Sequence, residues 1–142
     1  LGAVAIGLTS CHDSEMQRHA DICITPLTGP EVVTGSTRMK SGTAQKMVLN
    51  MLSTAAMIKL GKVYGNLMVD VQATNEKLVQ RAVSIVCTAT GADAATARDA
   101  LGRCGFHCKQ AIVMLLLHTD EEGAKKALEG ANGHISRATS LG

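Results

Sequence analysis

Aromatic side chains are almost missing from this sequence: it has one Tyr, one Phe and no Trp. A core without them must be built from Leu, Val, Ile, Met and Ala. Seven methionines are available to fill gaps, a composition that suits helix packing better than an aromatic-rich β-sandwich. The same lack removes the stacking platforms on which single-stranded nucleic acids are held. Charge of one sign is not in excess either. A net charge of +2 gives no electrostatic basis for binding nucleic acid or an anionic membrane surface, and neither is expected as a partner. The longest apolar run, Ala111 to Leu117, falls far short of the ~20 residues that cross a bilayer. No charged n-region followed by an apolar h-region and a cleavage site occurs in these residues. The five cysteines are odd in number and form no regular framework, so reduced thiols and a cytoplasmic location are expected.

The chain does contain enough to fold. Hydrophobic residues make up 46% and charged residues 18%, outside the range of disordered chains, and 142 residues suffice for one domain or two small ones. It starts at Leu1 directly in an apolar run without an initiator Met, as expected of a segment of something longer. Ala3 to Leu8 is a continuous apolar stretch ended by Thr9 and Ser10, the pattern of a strand buried on both faces of a parallel sheet. Residues 13–20 are polar and predict a loop or one helical turn. Ala20 to Thr25 predicts a second strand, halted by Pro26. A connection of about a dozen residues fits a parallel crossover. Two strands do not make such a sheet alone, so its other strands are expected upstream.

The stretch from Gly29 to Thr43 carries the chemistry. It gathers three glycines, five hydroxyl side chains, the cations Arg38 and Lys40 and the carboxylate of Glu31. The helix predicted to follow, Ser41 to Leu60, has apolar positions Ala44, Met47, Val48, Met51, Leu52, Ala55 and Ala56 at helical spacing, with Gly61 as its C′ residue. First-turn amides lack intrahelical partners and the helix dipole is positive there, so a hydroxyl-rich loop at a helix start is a natural anion cradle. Cations at that end are misplaced by about 0.3–1 kcal/mol unless an anion sits among them. A solvated Gly/Ser/Thr loop is the plainer alternative. For Glu31 two readings stand side by side, a contact to sugar hydroxyls or an acceptor of backbone N–H groups in the loop.

Lys62 to Gln72 predicts a turn at Tyr64, Gly65 and Asn66 and a short apolar segment docking on the sheet domain. Thr74 is the expected N-cap of a helix ended by Gly91, and Asp93 caps a shorter one reaching Arg103. His107 to His118 predicts a third helix. Thr119 to Glu122 supplies the cap and first-turn acids of a fourth, ending near Gly130, with a frayed tail to Gly142. Cys104, His107 and Cys108, placed on one helix face by their spacing, invite a zinc reading. No second ligand pair accompanies them, and buried hydrophobic thiols are the favoured account. Cys11 beside His12 is a weak candidate nucleophile, because sequence neighbours rarely face each other. Asp70 and Glu76 read as caps or surface charges.

The run from Gly29 to Val71, GPEVVTGSTRMKSGTAQKMVLNMLSTAAMIKLGKVYGNLMVDV, resembles the signature region of the N-acetylmuramic acid 6-phosphate etherases and the related glucokinase regulatory proteins. The preceding strand and the helical C-terminal unit resemble that family as well. The resemblance implies an α/β fold: residues 1–72 as the C-terminal part of a sugar isomerase (SIS) domain, two strands and a closing helix of its parallel sheet, and 73–142 as a small helical bundle similar to ubiquitin-associated domains. It implies a lyase that cleaves the lactyl ether of N-acetylmuramic acid 6-phosphate to N-acetylglucosamine 6-phosphate and D-lactate, without metal or other cofactor. Two upstream glutamates and an upstream Ser/Thr-rich phosphate loop would do the catalytic work, so no catalytic residue is assigned in this chain. Binding roles carry over to Glu31, Ser36, Thr37, Arg38, Lys40 and Thr43. A homodimer, or association with the missing N-terminal half, is expected to cover the apolar edges of a half-sheet. A sugar-phosphate-sensing regulator and a sugar-phosphate isomerase are the alternatives within the same resemblance.

Overall fold

Residues 2–140 are described by the computed structural model, in which the chain divides into two units, Leu1–Ala55 and Ala56–Gly142. The first holds strand β1 (Ile6–Leu8), a 3-10 turn (Glu15–Arg18) and strand β2 (Ile22–Ile24). β1 and β2 pair in parallel, with Ile6 opposite Ile22 and Leu8 opposite Ile24. Both strands are shorter than the apolar runs that predict them. The expected burial on both faces is not found: Ile6 is 48% exposed and Ile22 51%. Gly7 is buried because Met16 and Ala20 of the crossover lie over it, 3.0 Å from where a Cβ would stand.

Helix α1 (Lys40–Lys59) runs from the first unit into the second. Its end is a Schellman motif: Lys62 N–H donates to the Met57 carbonyl and Gly61 N–H to that of Ile58, with Gly61 at φ +67°. Its apolar positions keep the predicted spacing, yet Ser41 is the one buried residue among the described residues of the helix. Met47, Met51 and Leu52 all face solvent.

The second unit contains the hairpin β3 (Val63–Tyr64) and β4 (Leu67–Met68), turned at Gly65 and Asn66. Helices α2 (Glu76–Thr90), α3 (Ala94–Arg103), α4 (Cys108–Leu117), α5 (Glu121–Gly130) and α6 (Ile135–Ser140) follow. Capping explains most boundaries. Asn75, rather than Thr74, caps α2, because its Oδ1 reaches the Leu78 N–H at 3.0 Å. Gly91 closes α2 in the left-handed region. Asp93 Oδ1 accepts from Ala95 and Thr96 N–H, and Asp120 Oδ1 from Gly123 N–H. Where a frayed tail is expected, Ile135–Ser140 forms α6 and buries Ile135 and Ala138; residues 141 and 142 lie outside the described residues.

Every buried apolar side chain among the described residues lies between Val69 and Ala138. Leu101, Ile112, Ile135, Val86 and Val113 are fully enclosed, each worth about 1.5–3 kcal/mol against exposure. Val69 and Val71 belong to this same core. The segment that the sequence reading docks on the sheet domain thus packs among the helices, because β3–β4 turns its following residues onto them. With no comparable burial in the first unit, the hydrophobic effect acts mainly on residues after Ala56.

Candidate functional site

The loop between β2 and α1 is organised by one carboxylate. Glu31 Oε2 accepts the Lys40 N–H at 3.1 Å and Oε1 the Ser41 N–H at 3.0 Å. Both are first-turn donors of α1, so a residue nine and ten positions upstream serves as the helix cap. Those hydrogen bonds, Ser41 first and Lys40 second, hold the Glu31 carboxyl below the usual glutamate range. The next two amides are also taken: Gly42 N–H donates to the Thr37 carbonyl and Thr43 N–H to that of Met39. The anion that the sequence argument requires at this helix start is therefore present in the chain itself. Lys40, at the first helical position, sits beside that carboxylate and directs its ammonium to the Pro30 carbonyl at 2.9 Å.

Three of the six candidate residues come together around an open depression of about 440 Å³, lined by Glu31, Val33, Ser36, Arg38 and Met39. Thr37, Lys40 and Thr43 are not in that lining; Thr37 and Thr43 act there through backbone atoms and Lys40 through its tether to Pro30. Ser41 and Ser10, which the sequence pattern does not single out, meet beside this loop. Ser41 Oγ donates to Ser10 Oγ at 2.8 Å, linking the helix start to the loop after β1. A hydroxyl at the end of a strand and another in the first turn of the closing helix are the signal that could have found the pair.

The other constellations resolve differently. Cys104 is the C-cap of α3 and Cys108 the first residue of α4, so the expected single helix face for Cys104, His107 and Cys108 does not exist; the turn through Gly105 and Phe106, both at positive φ, separates them. Burial raises the Cys104 thiol and pushes Cys108 up to about 11, favouring the protonated form of both. Cys11 Sγ donates to the backbone carbonyl of His12, with no imidazole involved. Asp70 forms an ion pair with Lys62 at 2.8 Å, while Glu76 accepts from Gln80 and lies 3.9 Å from Arg98. On the second unit a depression of about 270 Å³ brings Asp70, His107, Lys109 and Lys125 over Val71 and Leu128. The Asp70 carboxyl is lowered by Lys62 first and also by Lys109 and His107.

Residues 65–139 match the family described as the C-terminal lid domain of glucokinase regulatory protein, more than half of the chain. The chain belongs to this lid-domain family. The lid-domain match takes in β4 and helices α2–α5 and leaves the loop before α1 outside it. Over almost its whole length the chain is homologous to N-acetylmuramic acid 6-phosphate etherases. It is 58% identical to that of Klebsiella aerogenes over 136 residues, 95% of this chain and 45% of the relative. Identity to the Pasteurella multocida etherase is 55% over 141 residues, 99% of this chain and 47% of that protein. For Clostridium beijerinckii it is 52% over 138 residues, 97% and 45%. The chain thus spans just under half the length of these curated relatives. No helix among the described residues is long and apolar enough to cross a membrane.

Proposed function

We propose that this lid-domain chain is part of an N-acetylmuramic acid 6-phosphate etherase, a lyase releasing D-lactate and N-acetylglucosamine 6-phosphate in cell-wall recycling. The observation that carries the reading is identity of 52–58% to etherases across 95–99% of the chain, the loop before α1 included. The loop geometry supports it: a hydroxyl, a guanidinium, the Glu31 carboxylate and two apolar side chains line one depression, a mixture that suits a charged, partly apolar sugar derivative.

In the reaction so assigned, a base removes the proton beside the open-chain aldehyde and the neighbouring carbon–oxygen bond breaks. An acid protonates the departing lactate oxygen, and water then adds to the double bond. Two carboxylates with separated pKa values suit both tasks, and we assign them to upstream glutamates. In this chain Glu31 acts as the cap that fixes the loop, while Ser36 and Arg38 face the substrate. The finer fold reading is that residues 1–72 complete a SIS-type parallel sheet and 73–142 form a bundle similar to ubiquitin-associated domains. Exposed Ile6, Ile22, Met47 and Met51 are then covered by the other strands and helices of that sheet or by a second copy. Five free cysteines accord with a cytoplasmic setting.

The test is release of D-lactate from N-acetylmuramic acid 6-phosphate by the complete protein, with no release by this 142-residue chain alone. The match to a lid domain named for a regulatory protein favours one second reading, sensing of sugar phosphates without turnover. Binding of the muramic phosphate without lactate release by the complete protein selects it. Interconversion of hexose phosphates selects an isomerase instead.

A further inference from the structure

We infer that Arg38 recognises the lactyl carboxylate of the substrate and so sets the preference for a muramic over a glucosamine phosphate. The inference rests on the etherase reading and deepens it. Of the three charged side chains in the loop, two are already committed. Glu31 lies on the Lys40 and Ser41 amides, and the Lys40 ammonium lies on the Pro30 carbonyl. Helix α1 offers no spare first-turn amide, since those of Gly42 and Thr43 point to Thr37 and Met39 carbonyls.

Arg38 differs. It is exposed, it takes part in none of the ion pairs among the described residues, and it lines the 440 Å³ depression with Ser36. The lactyl substituent is a carboxylate with a methyl group one carbon away. A guanidinium fork matches a carboxylate with two parallel hydrogen bonds, and the Ser36 hydroxyl adds a donor. Val33 and Met39, 66% and 61% exposed on the same rim, give the methyl an apolar surface. During elimination the bond electrons go to the ether oxygen, which takes its proton from the general acid. Arg38 forms and breaks no covalent bond and remains charged throughout.

The experiment compares wild type, R38K and R38M in the complete protein, with lactate release from N-acetylmuramic acid 6-phosphate and inhibition by N-acetylglucosamine 6-phosphate, which lacks the lactyl group, as readouts. R38M is expected to lower kcat/KM for lactate release roughly 10- to 100-fold, the worth of a charge-assisted hydrogen-bond pair, while the inhibition constant of the glucosamine phosphate moves less than about twofold. R38K is expected to recover part of the loss. The unchanged inhibition constant also reports a folded site. Equal weakening toward both ligands, or no change in either, overturns the role given to Arg38 and leaves the etherase reading standing. A wild-type protein that neither releases lactate nor binds either sugar phosphate overturns the etherase reading and this inference with it.

Discussion

Gly61 stands against the carbonyl of Gly133 so closely that a Cβ on Gly61 would lie 2.9 Å from its oxygen. Gly61 is also at φ +67°, where any other residue is strained. The end of α1 and the turn before α6 therefore meet through backbone, with no room for a side chain. Gly61→Ala is expected to destabilise the second unit by roughly 1–3 kcal/mol, the left-handed penalty plus the displaced carbonyl. Thermal unfolding reads this as a lower Tm; an unchanged Tm would show that the two backbones part at no cost.

Core packing sets a larger effect. Ile112 is fully buried at the centre of the helical cluster, and Ile112→Ala should cost about 2–5 kcal/mol, against roughly 0.5–1.5 for Ile112→Val. Asn75→Ala, which removes only the cap of α2, should cost about 1 kcal/mol. Urea unfolding that finds Ile112→Ala no costlier than Ile112→Val or Asn75→Ala contradicts the assigned core.

Acid should loosen the start of α1. The folded Glu31 carboxyl is lowered by the Ser41 and Lys40 amides, so its contribution is fully present above the unfolded glutamate pKa and is lost as pH falls through the lower folded value. Protection of the Lys40 and Ser41 amides, measured against their intrinsic exchange rates, is expected to be high at neutral pH and to fall in that acid window. In Glu31→Gln the step should disappear. A step of the same size in the variant would assign it to another group.

The thiols should divide by burial. With Cys108 pushed up to about 11 and Cys104 also raised, neither forms much thiolate near neutral pH. Exposed Cys11 is expected to take an alkylating reagent first, while Cys104 and Cys108 react only after denaturation. Mass spectrometry that finds Cys108 labelled as fast as Cys11 in the folded protein would count against the buried placement.

The local signals were legible because local interactions produced them. Gly61 and Gly91 as helix ends, Asp93 as a cap, a cap within Thr119 to Glu122, and the parallel partnership of two apolar runs all follow from groups a few residues apart or from chain length. Thr74 and Asn75 are both able caps, and Asn75, with extended backbone, is the one whose Oδ1 reaches the Leu78 N–H. Cys104 and Cys108 looked like one helix face because spacing assumes an unbroken helix, and the turn at Gly105 and Phe106 breaks it.

What the sequence determined by itself was a hydroxyl- and charge-rich loop leading into a helix, and the need for an anion at that helix start. Only the tertiary structure decided which anion it is. Glu31 reaches the Lys40 and Ser41 amides because the loop folds back over nine and ten residues, a closure that no periodicity records. The same closure ties Lys40 to Pro30 and leaves Arg38 on the depression. Composition lists the charges of a site, but chain reversal decides which neutralise each other and which face outward.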